Sequence, residues 1–310
     1  MSTPPPAPAR NWSAYNRALI ERGSLTVWVD ADALANWSGA RDPHRIGRPF
    51  LYGAAAIQLV LTLREMYHLP LRAAQGFAAS IFRALGVALP VPHYSTLSRR
   101  SEAAPIDLGV AAADGPRVLV LDSTGLKVFG EGEWKVRQHG YGKRRTWRKL
   151  HLAIDARTQE IVACATTACG ATDASQVGPL LAEAGGAVSH LKADGAYDQE
   201  SVYEEARSRG AVPVIPPRRG ARIRRHGNRS GGRLARDDNI RGVRRYGRRG
   251  WKKRVRYHER SLAETGMFRL KNNLGEKLRG RKIETQRTEN RVKCRVLNRM
   301  TRLGMLARRA

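Results

Sequence analysis

Between Arg117 and Ile215, short aliphatic runs recur at intervals that suit little besides a sheet with helices laid on it. Arg117 to Asp122, Trp147 to Asp155 and Glu160 to Thr167 have the length and pattern of strands. Only the polar turn Ala156-Arg157-Thr158-Gln159 separates the last two, which predicts a hairpin. A helix is expected from Asp173 to Ala184, with Thr172 or Asp173 as its cap and Val177, Leu180 and Leu181 on one face. A strand then ends at Asp194, a helix covers Gln199 to Ser208, and the strand Val212 to Ile215 closes at Pro216-Pro217. The order βββαβαβ predicts an α/β fold, a mixed sheet with flanking helices.

The N-terminal third reads differently. Residues 1–40 form an arm: Met1 to Arg10 is proline-rich, and Leu25 to Val29 looks like a strand or an extended piece. Within 41–112 the pattern is helical, with one apolar segment to His68, a second from Pro70 to Leu85, and a third from His93 to Arg100 behind Pro90 and Pro92. The third would start near Tyr94-Ser95-Thr96 and carry Ser98, Arg99 and Arg100, the polar-then-basic makeup of a helix that enters a DNA groove. A helical cap with solvated arginines fits the same residues. Residues 113–310 would be the catalytic part, ending in a helix over 283–306 whose stripe Val292, Val296, Met300 and Leu303 suits core packing.

Charge narrows the partner. A formal charge of +29 calls for a polyanion, nucleic acid before an acidic membrane surface. No run of eighteen apolar residues occurs, since the stretch from Ala54 to Leu63 is interrupted by Gln58 and soon meets Arg64 and Glu65. Nor does the start resemble a secretory signal, so a cytoplasmic, non-membrane protein is expected. Cys164, Cys169 and Cys294 show no C-x-x-C spacing and read as packing residues. From Arg218 to Arg256 there are seventeen Lys or Arg against two acidic residues. This basic insertion, 218–256, lacks the apolar content to fold alone. It reads as a clamp that tracks DNA phosphates through Arg244, Arg245, Arg248 and Arg249, with Trp251 available to stack, or else as a solvated loop.

Three carboxylates could do chemistry. Asp122 and Asp194 each end an apolar run, where a strand gives way to a loop and a side chain can be exposed at the sheet end. Tyr257, Arg260, Glu264 and Lys271 stand at offsets of three, seven and fourteen. On one α-helix they would project within an arc of about 60°. Phosphodiester cleavage by two divalent ions needs hard oxygen ligands from several elements, and Asp122, Asp194 and Glu264 could converge to supply them. Arg260 and Lys271 would meet phosphates, and Tyr257 would stack or donate a hydrogen bond. Each acid also has a plain reading, as a turn cap or, for Glu264, a surface pair with Arg260 one turn earlier. Asp155, Asp173 and Asp198 are set aside as a turn residue, a cap and a helix leader.

With these residues in view, the chain resembles DDE transposases of bacterial insertion sequences, in particular the insertion-sequence-five family and its nine-oh-three group. The resemblance rests on Asp122 to Val128, Gly132-Glu133-Trp134-Lys135, Arg148 to Leu152, Ala193 to Asp198 and the Y-x2-R-x3-E-x6-K spacing of Tyr257 to Lys271. It extends to Asn11-Trp12 through Tyr15-Asn16, Tyr94 to Leu97 and Leu297 to Met300, and so to essentially the whole chain. The tail from Gly304 to Ala310 departs from the family, which tends to have proline after the methionine. The resemblance implies a ribonuclease-H-like catalytic domain behind an N-terminal DNA-binding region, with Asp122, Asp194 and Glu264 as catalytic, metal-binding acids. It implies two Mg2+ ions, with Mn2+ as a substitute, and cleavage at the element's terminal inverted repeats, after which the freed 3′-hydroxyl attacks target DNA. A homodimer or larger complex on DNA, in the bacterial nucleoid, follows from the same likeness. The competing readings are a DNA-binding repressor from a decayed element and a metal-dependent nuclease that does not join strands.

Overall fold

The computed structural model describes residues 12–29, 31–39, 51–128, 147–225 and 234–304. The proline-rich start, Asn11, the Gly132 to Lys135 motif and the tail from Met305 lie outside these residues.

Five strands lie in the order β3-β2-β1-β4-β5: β1 (Arg117–Val128), β2 (Trp147–Asp155), β3 (Ile161–Ala168), β4 (Val188–Lys192) and β5 (Val212–Val214). The hairpin expected at Ala156 to Gln159 is present, with β2 antiparallel to both β1 and β3. β4 and β5 run parallel to β1, so the sheet is mixed, as in ribonuclease-H-like folds. A two-residue strand, β6 (Lys277–Leu278), pairs with the far end of β1. Helices cover both faces. Val177–Ala184 and Glu200–Ser208 pack on Leu119, Leu121 and Leu191. Ser261–Leu274 and Ile283–Gly304 pack on Val120, Leu126 and Ile154 from the other side. This division follows the two-residue period of a strand, which sends odd and even positions of β1 to opposite layers.

Numbering helices in chain order, α1 (Trp12–Glu21), α2 (Leu25–Trp28) and α3 (Ala31–Ala35) precede α4 (Ala54–Met66), α5 (Leu71–Ala84) and α6 (Tyr94–Arg100). The last three match the expected helical unit. Leu25 to Trp28 is helical rather than a strand, because Trp28 turns inward, 1% exposed, and donates its indole N–H to the Arg22 carbonyl 2.8 Å away. The later helices are α7 (Val177–Ala184), α8 (Glu200–Ser208), α9 (Ala235–Arg254), α10 (Ser261–Leu274) and α11 (Ile283–Gly304). α11 runs through the layer between the sheet and α4, burying Val292, Val296 and Met300 as its apolar stripe predicts. Its side chains also tie the layers: Asn298 accepts the Ile161 N–H at 2.7 Å and donates to the carbonyls of Leu108 and Ile161.

The basic insertion departs from expectation. Its described C-terminal part is helix α9, not a loop, because three buried groups anchor it. Asp237 is fully buried and accepts the backbone N–H groups of Arg224 and Arg225. Arg236 grips Asp198 with two hydrogen bonds, and Ile240 is 3% exposed. The helix bends at Gly247, whose φ of +67° favours glycine. Among the cysteines, Cys164 and Cys294 are buried as expected, whereas Cys169 is exposed and packs nothing.

Candidate active site

The register of the parallel ladder places the first two acids. Val120 pairs with Lys192, the last partners of β1 and β4. Asp122 and Asp194 stand two residues beyond them, so both return to the face that Val120 and Lys192 occupy. β1 itself does not end at Asp122 but continues to Val128. Its edge toward β4 is what ends. β2 covers the opposite edge of β1 from Leu119 to Lys127, and β6 rejoins the β4 side only at Lys127. Asp122 therefore sits in a split between β4 and β6, where its edge of the strand is unpaired although its side chain stays largely covered, 15% exposed. After β4, Asp194 opens a single 3-10 turn, Gly195–Tyr197, and accepts the Ala196 N–H at 2.8 Å.

The third acid comes from α10. Tyr257, Arg260, Glu264 and Lys271 do not share one α-helix: Tyr257–Arg260 is a 3-10 turn entered through Arg256 in the left-handed region, and only Ser261–Leu274 is α-helical. Arg260 nonetheless reaches back across the site. Its guanidinium donates to Asp122 Oδ2 at 2.9 Å and to Glu264 Oε1 at 2.5 Å. One cation thus links carboxylates from the sheet and from the helix. Burial pushes the Asp122 pKa up, outweighing the Ser123 N–H and Arg260; nearby Asp194 and Glu264 push it the same way. Those couplings bring the three acids into one electrostatic neighbourhood. Among the described residues, no three acidic, histidine or cysteine side chains form a ready cluster around one ion. The donors are nevertheless carboxylate oxygens, and magnesium takes one or two of these together with waters and phosphate oxygens, so Asp122 and Asp194 fit it.

The surrounding aromatics behave differently from expectation. Trp251 is 3% exposed and packs on Val214 and Tyr257, so it is not available to stack on a base. The Tyr257 ring lies 5.9 Å from the Trp251 ring, which removes it from base stacking as well. Burial raises the Tyr257 pKa, so its hydroxyl keeps its proton and can donate. Arg244, Arg245, Arg248 and Arg249 are exposed on α9, although Arg248 donates to the Pro217 carbonyl at 2.6 Å. Arg99 is exposed on α6, while Arg100 is half-buried and holds the Tyr52 carbonyl.

Of the set-aside aspartates, Asp155 closes β2 and accepts the Arg157 N–H in its turn as expected, and Asp198 precedes α8 as expected, whereas Asp173 is not the cap it was read as. Asp173 makes no cap bond and instead lies 3.3 Å from Lys149 Nζ and 3.5 Å from His151 Nδ1. Asp198 is buried, and burial alone would raise its pKa. Hydrogen bonds from Arg236, the Arg218 N–H and the Tyr203 hydroxyl overcome that and lower it. One residue that periodicity does not single out is Lys192, 3% exposed on β4. Its ammonium donates to Glu259 Oε2 at 2.7 Å and to the Arg256 carbonyl at 3.1 Å, so it pins the turn that carries Arg260 to the strand that leads into Asp194. A lysine two places before a candidate acid is its only trace in the sequence.

Two protein-family models match the chain. A model described as Transposase DDE domain matches residues 113–299, and a second model with the same description matches residues 20–131.

Proposed function

We propose, for a chain that belongs to the DDE transposase family, that Asp122, Asp194 and Glu264 are the acids that cut DNA at an element's ends and join the freed 3′-hydroxyl to target DNA. The observation that supports this reading is Arg260 bridging Asp122 and Glu264, beside a ladder whose last pair, Val120 and Lys192, stands two residues before Asp122 and Asp194. Asp122 and Asp194 would hold Mg2+, or Mn2+ in its place, and Glu264 would complete the set. Bound there, the ions supply positive charge against oxygens that become more negative in the transition state. Arg260 has a planar fork suited to a phosphate, and Lys271 lies two helical turns beyond Glu264 on nearly the same face of α10. The Tyr257 hydroxyl adds a donor. Arg99 and Arg100 on α6 and the exposed arginines of α9 would hold flanking duplex by its phosphates. The proposed home of the chain is the insertion-sequence-five family, nine-oh-three group, acting as a dimer or larger complex in the bacterial nucleoid. No described helix is long and apolar enough to cross a membrane.

Purified protein, a labelled terminal inverted repeat, Mg2+ and a target plasmid test the reading together. Joined product is expected, and Asp122→Asn, Asp194→Asn or Glu264→Gln should each lower it by about a thousandfold, several kcal/mol of lost transition-state stabilisation. Cutting without joining would point to a nuclease, binding alone to a repressor. Intact strand transfer in all three variants would remove the acids from catalysis. Replacing Arg244, Arg245, Arg248 and Arg249 by glutamine should also flatten the salt dependence of DNA affinity, by about 0.9 in slope for each phosphate that is no longer neutralised.

A further inference from the structure

A cavity of about 300 Å³ opens between the chain just after β5 and the middle of α9, and four arginines line it: Arg218, Arg219, Arg244 and Arg248. Ile240 and Val243 form its apolar wall. Two of the arginines are held in place by backbone. Arg248 is bonded to the Pro217 carbonyl, and Arg218 reaches the carbonyls of Gly195 and Ala196 at 3.4 and 3.3 Å. Arg219 and Arg244 have no acidic partner among the described residues. Four like charges around one small space repel each other unless an anion enters. The apolar wall asks for more than an inorganic anion, because Ile240 and Val243 gain nothing from a bare phosphate.

The cavity also lies close to the turn that follows Asp194. Arg218 spans from its rim to Gly195 and Ala196, the residues that follow Asp194, and its N–H is fixed by Asp198. A volume of this size is at the small end of ligand cavities and too small for a base-paired segment. We infer that the cavity binds one unpaired nucleotide of a DNA strand, its phosphate between Arg219 and Arg244 and its base against Ile240 and Val243. This rests on the reading that the neighbouring acids act on DNA. The arginines supply charge and fork geometry for phosphate, while the aliphatic wall is indifferent to which base is present. The site therefore selects an unpaired nucleotide and not a sequence.

Equilibrium binding in EDTA tests the inference without any cleavage, using the full chain and two duplexes of equal length, one blunt and one with a short unpaired 3′ tail. The tailed duplex should bind at least about tenfold tighter, a modest share of the energy that base and phosphate contacts supply. Removing the bases from the tail should abolish most of that preference. Val243→Trp, which fills the cavity, should bring the tailed-to-blunt ratio to about one. Ala221→Phe, which fills it from the opposite wall, should do the same if the first variant folds poorly. Equal affinity of wild-type protein for the two duplexes, or a ratio that survives both cavity-filling variants, would overturn the inference. A preserved preference with no Mg2+-dependent cutting would instead leave the cavity standing and reject the catalytic reading.

Discussion

The two strand-borne acids and the helix-borne acid are placed by different physics. Asp122 and Asp194 inherit their positions from main-chain hydrogen bonds: once Val120 pairs with Lys192, the strand period leaves little freedom about where the next even residues fall. Glu264 has a side chain 58% exposed, on a helix whose main chain meets the sheet only beyond its C-terminal end, where β6 pairs with β1; near Glu264 the helix is held by side chains. Besides the apolar face Ala263, Met267, Leu270 and Leu274, they include Lys192 on the Glu259 turn, Arg260 on Asp122, and the close seat of Gly266 against Ile154. Two of the three candidate acids are thus placed by the sheet itself, and the third depends also on side-chain interactions that can be cut singly.

Cutting the strongest of those interactions should show the asymmetry most clearly. Lys192→Met removes a buried ammonium from Glu259 and from the Arg256 carbonyl. Breaking a buried pair costs about 3 kcal/mol or more, and the lower figure applies because Arg256 Nε still lies 3.1 Å from Glu259. Urea unfolding should register that loss. Strand transfer by the fraction still folded should fall with little change in DNA affinity, and Glu259→Gln combined with Lys192→Met should be far from additive. Additive effects with unaltered turnover would mean that the turn positions itself.

Gly266 offers a smaller and reversible break. A Cβ there would stand 2.5 Å from Ile154 Cδ1, so Gly266→Ala should push α10 off the sheet at a cost of about 2 kcal/mol. Ile154→Val removes that methyl group, and the double variant should recover both stability and activity. No recovery would show that the helix is placed by something other than this seat.

What can be read in the chain divides along the same line. The strands, their order and the two aspartates are legible because alternation and turn residues encode a sheet locally. Glu264 is legible as a residue but not as a geometry. Periodicity puts Tyr257 to Lys271 on one helix, and nothing in Arg256 announces that it enters the left-handed region and starts a 3-10 turn. The basic insertion misleads for a related reason. Its composition argues for a loop, yet buried Asp237, the Asp198 to Arg236 pair and the burial of Trp251 make a helix of it, and all are long-range interactions. Lys192 is hidden because a buried lysine makes sense only once its partner 67 residues away is known.

The smallest expected effect bears on the cost of the sheet's own placement. The fold holds Asp122 half in the interior, and burial raises its pKa above the ordinary 3.8 despite Arg260 and the Ser123 N–H. A raised folded-state pKa means that the fold binds the Asp122 proton more tightly than the unfolded chain does. Its contribution to stability is then complete below pH 3.8 and is lost as pH rises through the higher folded value. At neutral pH the ionised carboxylate is accordingly a burden on the fold. Asp122→Asn should therefore raise Tm slightly at pH 7 while removing activity, and the advantage should shrink as the pH is lowered toward 4. Glu264→Gln, at an exposed position, should leave Tm nearly unchanged at either pH. A fall in Tm for Asp122→Asn at pH 7 would mean that its bond to Arg260 outweighs burial, and the strand acid would then depend on the helix as much as the helix acid depends on the strand.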